Sequence, residues 1–313
     1  MTVRIVTDST ADIPPELARE LDITIVPVYV NILGRSYRDG IDITHEELYK
    51  NMAENDAHIT TSQPSPGDFV HAYDKVLKEA DDIVSIHCVA RLSGIHQSAL
   101  QGRDLVGSKG HIEVIDSGTV SMGLGLIAIA AGRLAKTGAT LSCVMDETLK
   151  AVSQSHVWGI FDTLKYALRG GRLGKVTSLL GNMLNVKTIL TVKDGSLRPT
   201  GIVRTRAKGI EKLLDNVSKF SNVHDFGIAY SSAKDEANTL RAKLSALVDK
   251  SRIYVSQLGP GIGAHGGPGV LILGMRASET PKNAADMAIE KNRKRMPHMP
   301  SFRAPKLNTT PVL

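Results

Sequence analysis

The sequence predicts an α/β fold in two parts: a parallel-sheet domain, then an α+β domain built on a mixed or antiparallel sheet. Two observations point there. In the first half, short Val- and Ile-rich runs alternate with helical stretches, the pattern of strands joined by crossover helices. In the second half, Asp194-Gly195 separates two β-rich runs, the signal of an antiparallel hairpin. A chain of 313 residues accommodates one large or two ordinary domains.

Val3 to Val6 is a mostly apolar run that ends at Thr7-Asp8-Ser9-Thr10, a buried strand followed by a polar turn. Asp12 stands where an N-cap would open a helix, with prolines at 14 and 15 near the first turn. Ile23 to Val30, Ile83 to Cys88 and Ile112 to Ile115 are further strand candidates, separated mostly by helices over Phe69 to Lys78, Ile95 to Val106 and Met122 to Ala135. Beyond Ala151, Lys187 to Val192 and Leu197 to Arg204 flank the Asp-Gly turn. A helix over Arg206 to Lys219, a strand over Phe226 to Tyr230 and a helix over Asp235 to Val248 follow. Strands over Ile253 to Gln257 and Val270 to Leu273 close the second part. The expected domains are therefore residues 1–150 and 151–280. A basic tail over 281–313 is expected to be partly helical, from Ala284 to Arg295, or disordered.

Composition narrows the function. Apolar residues make up 42% and charged residues 22%, ordinary for a globular chain. Aromatics are only 4%, so the core must be aliphatic and a stacking platform for single-stranded nucleic acid is disfavoured. The net charge of +6 suits an acidic partner, although much of the excess sits in Lys291-Asn292-Arg293-Lys294-Arg295, a run that solvates readily. Cys88 and Cys143 have no CxxC neighbour, which points to small apolar residues rather than a metal site. The amino terminus has no signal-peptide pattern, and no apolar run approaches the roughly 18 residues of a membrane span. A cytoplasmic protein without stable membrane insertion is expected.

Several polar or glycine-bearing segments stand where strands end or helices begin, the place where open α/β sheets bind ligands. Thr60-Thr61-Ser62-Gln63-Pro64-Ser65 crowds hydroxyls before a helix, which is also what a cap and turn would need. Ser93 and Gly94 fall at a helix start, where free N–H groups favour an anion; a plain N-cap would look the same. Asp116 to Gly125 leads into a helix without charge before Arg133, hence a buried one. Six glycines from Gly259 to Gly269 surround His265, a poor packing shell, so this histidine is a candidate for contact with phosphate or carboxylate near neutral pH. Leu168-Arg169-Gly170-Gly171-Arg172 is a basic turn, either a glycine C-cap or a phosphate contact.

In order along the chain, six features resemble the DegV family: Thr7-Asp8-Ser9, Thr61-Ser62-Gln63-Pro64-Ser65, Leu92-Ser93-Gly94 with Gln97-Ser98-Ala99, Ile115-Asp116-Ser117, Gly170-Gly171-Arg172, and His265 with Gly267-Pro268-Gly269. The resemblance implies a two-domain protein that buries one long-chain fatty acid, needs no cofactor and presents the carboxylate to the kinase subunit of a bacterial fatty acid kinase for phospholipid synthesis. It implies that Thr61, Ser62, Ser93 and Gly94 hold the carboxylate. Arg169, Arg172 and His265 would lie near the transferred phosphate, and Arg204 and Arg206 would contact the kinase. An aliphatic chain suits an acyl tunnel: at about 0.8 kcal/mol per buried methylene, an acyl tail contributes on the order of 10 kcal/mol before costs.

Three other functions fit less well. Hydrolysis with Ser93 as nucleophile and His96 or His265 as base lacks the G-x-S-x-G elbow. ATP binding by this chain alone lacks a G-x-x-x-x-G-K-[ST] loop. Nucleic-acid binding would rest on charge alone.

Overall fold

The two sheet types follow from how each set of strands is covered. The computed structural model describes residues 2–55, 59–173 and 186–278. Met1–Ser278 forms one unit and Glu279–Leu313 a second. The tail and its expected helix at Ala284 to Arg295 lie outside the described residues.

In chain order the elements are β1 (Val3–Asp8), α1 (Pro15–Glu20), β2 (Ile23–Val26), β3 (Tyr29–Ile32), β4 (Arg35–Arg38), α2 (His45–Asn55), β5 (Thr60–Ser62) and α3 (Pro66–Val76). Next come β6 (Asp82–His87), α4 (Ile95–Val106), β7 (His111–Asp116), α5 (Met122–Lys136), α6 (Leu141–Ser153), β8 (Ser155–Phe161) and α7 (Lys165–Arg169). The rest are β9 (Lys187–Lys193), β10 (Ser196–Val203), α8 (Arg206–Val217), β11 (Asn222–Tyr230), α9 (Lys234–Leu244), β12 (Ile253–Gln257), α10 (Pro260–Gly266) and β13 (Leu271–Ser278).

The fold is α/β. A parallel sheet runs β2-β1-β6-β7, with Ile5 beside Ile23 and Val84, and Ser85 beside Val114. Every residue of β6 is buried, as a strand covered on both faces requires. A mixed sheet runs β10-β9-β8-β13-β11-β12, antiparallel except between β11 and β12. Asp194 and Gly195 both take positive φ, 51° and 69°, the backbone of the expected tight hairpin turn between β9 and β10.

Helix α5 lies between the sheets, touching β1 on one side and β8, β11 and β13 on the other. Its residues are buried from Met122 to Gly132, as a helix apolar all round requires. Glycines at 227 and 274 on β11 and β13 let the Met122 end sit directly against the mixed sheet.

The sequence reading missed a third sheet, β4-β3-β5, antiparallel throughout. Ile23 to Val30 is not one strand: β2 joins the parallel sheet, and after Pro27, which cannot donate to a ladder, β3 joins the small sheet. Thr60–Ser62 is strand β5, and only Ser65 is the cap, in a reciprocal capping box with Asp68 that opens α3. The central strand β8 was also unread. Val30, Ile32, Leu48 and Ile59 form a local core with Ala264 of α10.

Candidate functional site

Where the sheets and α10 meet, a cavity of about 290 Å³ opens. That is close to the lower end of small-molecule pockets, about 300–1,000 Å³. Its walls are largely apolar: Val28, Leu92, Ile95 and Val120 from the first half, Phe161, Leu197 and Ile272 from the second. The polar atoms come from Thr10, from Thr61, Ser62 and Gln63 on and after β5, from Ser93, and from Arg172 and His265.

Each polar group is placed by its local structure. β5 pairs with β3 through Val30–Thr61 and Tyr29–Ser62; strand alternation turns the Thr61 hydroxyl toward His265 and the Ser62 hydroxyl to the exposed face, where it accepts from Asn31 Nδ2 at 3.3 Å. Gly94, not Ser93, is the N-cap of α4, and the Ser93 hydroxyl accepts from the Ile95 N–H at 3.4 Å. Gln63 lies flat on Gly94, where a Cβ would fall 2.2 Å from its Oε1, and donates to Ser98 Oγ at 3.3 Å. Thus β5 and the start of α4 are joined beside the cavity.

Gly171 closes α7 in the left-handed conformation (φ 71°), with Arg172 N bonded to Ala167 O and Gly171 N to Leu168 O, the glycine C-cap. That cap turns Arg172 into the cavity, where its guanidinium donates to Gly170 O at 2.5 Å. Arg169, the last residue of α7, is exposed and does not line the cavity.

His265 corrects two readings. The glycine-rich segment is not a loop but helix α10, and the packing shell comes from elsewhere: Gly170 touches the imidazole and Thr61 Oγ1 lies 2.7 Å from its Nε2. Burial first, and then the positive charge of Arg172, lower the His265 pKa from 6.5 to about 4. The ring is neutral at physiological pH and does not titrate near neutrality. Its Nδ1 is buried and has no hydrogen-bond partner among the described residues.

Arg204 and Arg206 lie outside the cavity and differ from each other. Arg204 is exposed. Arg206 is engaged internally, bonded to Glu236, to Asp162 Oδ1 at 3.2 Å and to Gly269 O at 2.6 Å. Among the described residues, no cluster of His, Cys, Asp or Glu is arranged to hold a metal, and no helix is long and apolar enough to cross a membrane.

Residues 2–277 match the model of the DegV family, described as a family of uncharacterised proteins. The chain belongs to the DegV family. It is 37% identical over 269 residues to a DegV domain-containing protein of Caldanaerobacter subterraneus, covering 85% of this chain and 95% of that one. Among solved structures, it resembles a DegV family protein from Thermus thermophilus described by its fatty acid binding, at 33% identity and TM-score 0.82, over 89% of this chain and 100% of that one. It also resembles DegV from Bacillus subtilis, described as a fatty acid binding protein, at 28% identity and TM-score 0.80 with the same coverage.

The sequence reading missed several site residues of this DegV chain. Thr10 lines the cavity because Asp8 accepts from its N–H at 3.1 Å and from its hydroxyl at 2.5 Å. Asp8 in turn is held by His87 Nδ1 at 3.0 Å and by the Cys88 N–H at 3.1 Å, all buried. The signal was available: Asp8 and Thr10 sit in a polar turn after a buried strand. Cys88 also lines the wall, and burial pushes its thiol pKa up, so it behaves as an apolar residue.

Proposed function

We propose that this chain binds one fatty acid, with the acyl tail in the apolar cavity and the carboxylate at Thr61, Ser62, Ser93 and Gly94. The observation that carries this reading is convergence: Thr61 of β5 and Ser93 at the start of α4 line one cavity whose walls are otherwise largely apolar, with Arg172 and His265 beside them. Neutral donors suit a carboxylate that must later leave as a different species. The fatty-acid binding of the Thermus and Bacillus relatives supports the same reading.

The finer proposal is that the chain presents this carboxylate to a partner kinase in the cytoplasm, which supplies ATP and forms an acyl phosphate for phospholipid synthesis, and does no chemistry itself. Arg172 and His265 line the same cavity, next to Thr61, where a transferred phosphoryl group would develop charge. Arg169, exposed one turn away, is a further contact for that phosphate. Arg204 is the accessible arginine for the kinase, whereas Arg206 would act through the segment it braces.

Native mass spectrometry of the purified chain tests the first part: a co-purified fatty acid is expected, and a ligand-free chain that takes up none overturns it. A reconstituted assay with a cognate kinase tests the second. His265→Ala and Arg172→Ala are expected to retain lipid while losing acyl-phosphate formation, and the chain alone with ATP is expected to form no product. Full turnover by His265→Ala would remove the phosphate-side assignment.

A further inference from the structure

Helix α10 should not be stable by its own sequence. It has seven residues, three of them glycine, the least favourable residue in a helix interior after proline. Its N-cap, Gly259, has no side chain to accept the free N–H groups of the first turn. Yet α10 carries His265 and supplies Gly261, Ile262 and Gly266 to the cavity wall.

Two remote carboxylates supply what the helix lacks. Asp12, after β1, accepts from the Gly259 N–H at 2.8 Å through Oδ1, while its Oδ2 lies 2.5 Å from the hydroxyl of Ser121, which precedes α5. Asp39, after β4, accepts from the Gly261 N–H and from Ser9 Oγ at 2.7 Å. A Cβ at residue 261 would lie 2.7 Å from Asp39 Oδ2, so only glycine admits this approach. Both carboxylates are buried, Asp12 bonded by the Ser121 hydroxyl and Asp39 by the Ser9 hydroxyl.

We propose that Asp12 and Asp39 are positioning residues that clamp the start of α10 from outside the helix and thereby set His265 and one wall of the cavity. No ligand contact is assigned to either.

The charge environment gives the clamp a pH signature. The charged groups acting on the pair are carboxylates: Asp39 and Asp8 on Asp12, and Asp8 on Asp39. Tyr49 of α2 feels Asp12, the residue before α5 contributes only the Ser121 hydroxyl, and His87 of β6 bonds Asp8 rather than the pair. Burial above all, with those neighbours, raises the Asp12 pKa to about 8 and that of Asp39 to about 6. A raised acid stabilises the closed state below its solvent-exposed pKa of 3.8 and loses that contribution as pH climbs to the raised value. Closure of α10 therefore weakens from pH 4 to about 8 and levels off above, with Asp39 acting up to about 6 and Asp12 alone between about 6 and 8.

Amide hydrogen exchange of α10 in the full chain, corrected for the intrinsic rate at each pH, reads the clamp without any ligand. The effect on the ligand rests on the fatty-acid reading above, and native mass spectrometry of the same samples reads it separately. Asp12→Ala and Asp39→Ala are expected to lower α10 protection about tenfold, the scale of one lost hydrogen bond, with β1 and β6 amides unchanged. Asp12→Asn keeps an acceptor for Gly259 and mimics the neutral acid. It should retain protection and lipid at pH 7 while losing the pH slope between 6 and 8. Should Asp12→Ala fail to fold, Asp39→Ala and Asp12→Asn still decide. Unchanged α10 protection in Asp39→Ala, or a wild-type slope in Asp12→Asn, overturns the proposal. A chain that carries no lipid but shows these exchange patterns removes the ligand reading and leaves the clamp standing.

Discussion

The packing around α5 and the rim of the cavity both depend on glycine, and they use it against opposite kinds of neighbour. At two positions around α5 the neighbour is main chain: a Cβ at residue 125 would meet Ala11 O at 2.5 Å, and one at residue 274 would meet the Met122 carbonyl at 2.6–2.7 Å. At the rim the neighbour is the working end of a polar side chain: Gln63 over Gly94, the His265 ring over Gly170. Backbone cannot turn aside, so the first set fixes how closely two sheets approach. Side-chain tips can move, so the second set fixes where functional groups stand. The difference teaches that glycine content alone does not mark a binding loop; what lies 2–3 Å from the absent Cβ does.

The largest expected effect breaks the comparison at its rigid end. Gly274→Ala should destabilise the whole unit by about 1–3 kcal/mol, at the upper end because its neighbour is backbone. Urea unfolding with an unchanged slope measures it, and a loss under about 0.5 kcal/mol would mean that the Met122 end of α5 yields. At the rim, Ser93→Ala should leave unfolding nearly untouched and weaken fatty-acid retention by about 1–3 kcal/mol, the scale of a lost hydrogen bond to a charged group. Unchanged lipid occupancy would take Ser93 out of the site.

The packing of His265 sharpens the contrast further. A histidine pKa lowered to about 4 means that the folded chain keeps the ring neutral, so its contribution to stability is full above 6.5 and is lost as pH falls toward 4. An NMR titration of the imidazole should place its midpoint near 4, and His265→Gln should flatten that part of the acid limb. A midpoint near 6.5 would return His265 to an open, solvated setting. The smallest effect belongs to Arg204: its exposed side chain predicts a stability change within about 0.5 kcal/mol for Arg204→Ala. Arg206→Ala, which removes the guanidinium from Glu236 and the Gly269 carbonyl while Lys187 still pairs Asp162, should cost more in thermal melts of the two variants.

Much of the fold was legible because its signals are local. Helix α4 and strand β12 begin and end where periodicity puts them, and the Asp-Gly turn takes the two left-handed residues its composition demands. Strand β8 and the small sheet were not legible. Ser155–Phe161 has no clean alternation, and β3, β4 and β5 are strands of three or four residues that exist only because they pair.

The site divides along the same line. Thr61, Ser93, Arg172 and His265 stand out in the sequence as polar or basic residues beside glycines and helix starts, and these four line one cavity. Asp12 shows what sequence alone could not decide. Its position reads as the N-cap of α1, yet Pro14 takes that place without a side-chain cap, and the Asp12 carboxylate goes to Gly259, 247 residues away. A local cap must compete with any unsatisfied donor that folding brings within reach. The glycine-rich start of α10 offers such donors with no partner of its own. Sequence determined which residues could bond; only tertiary packing decided which donor was left without another partner.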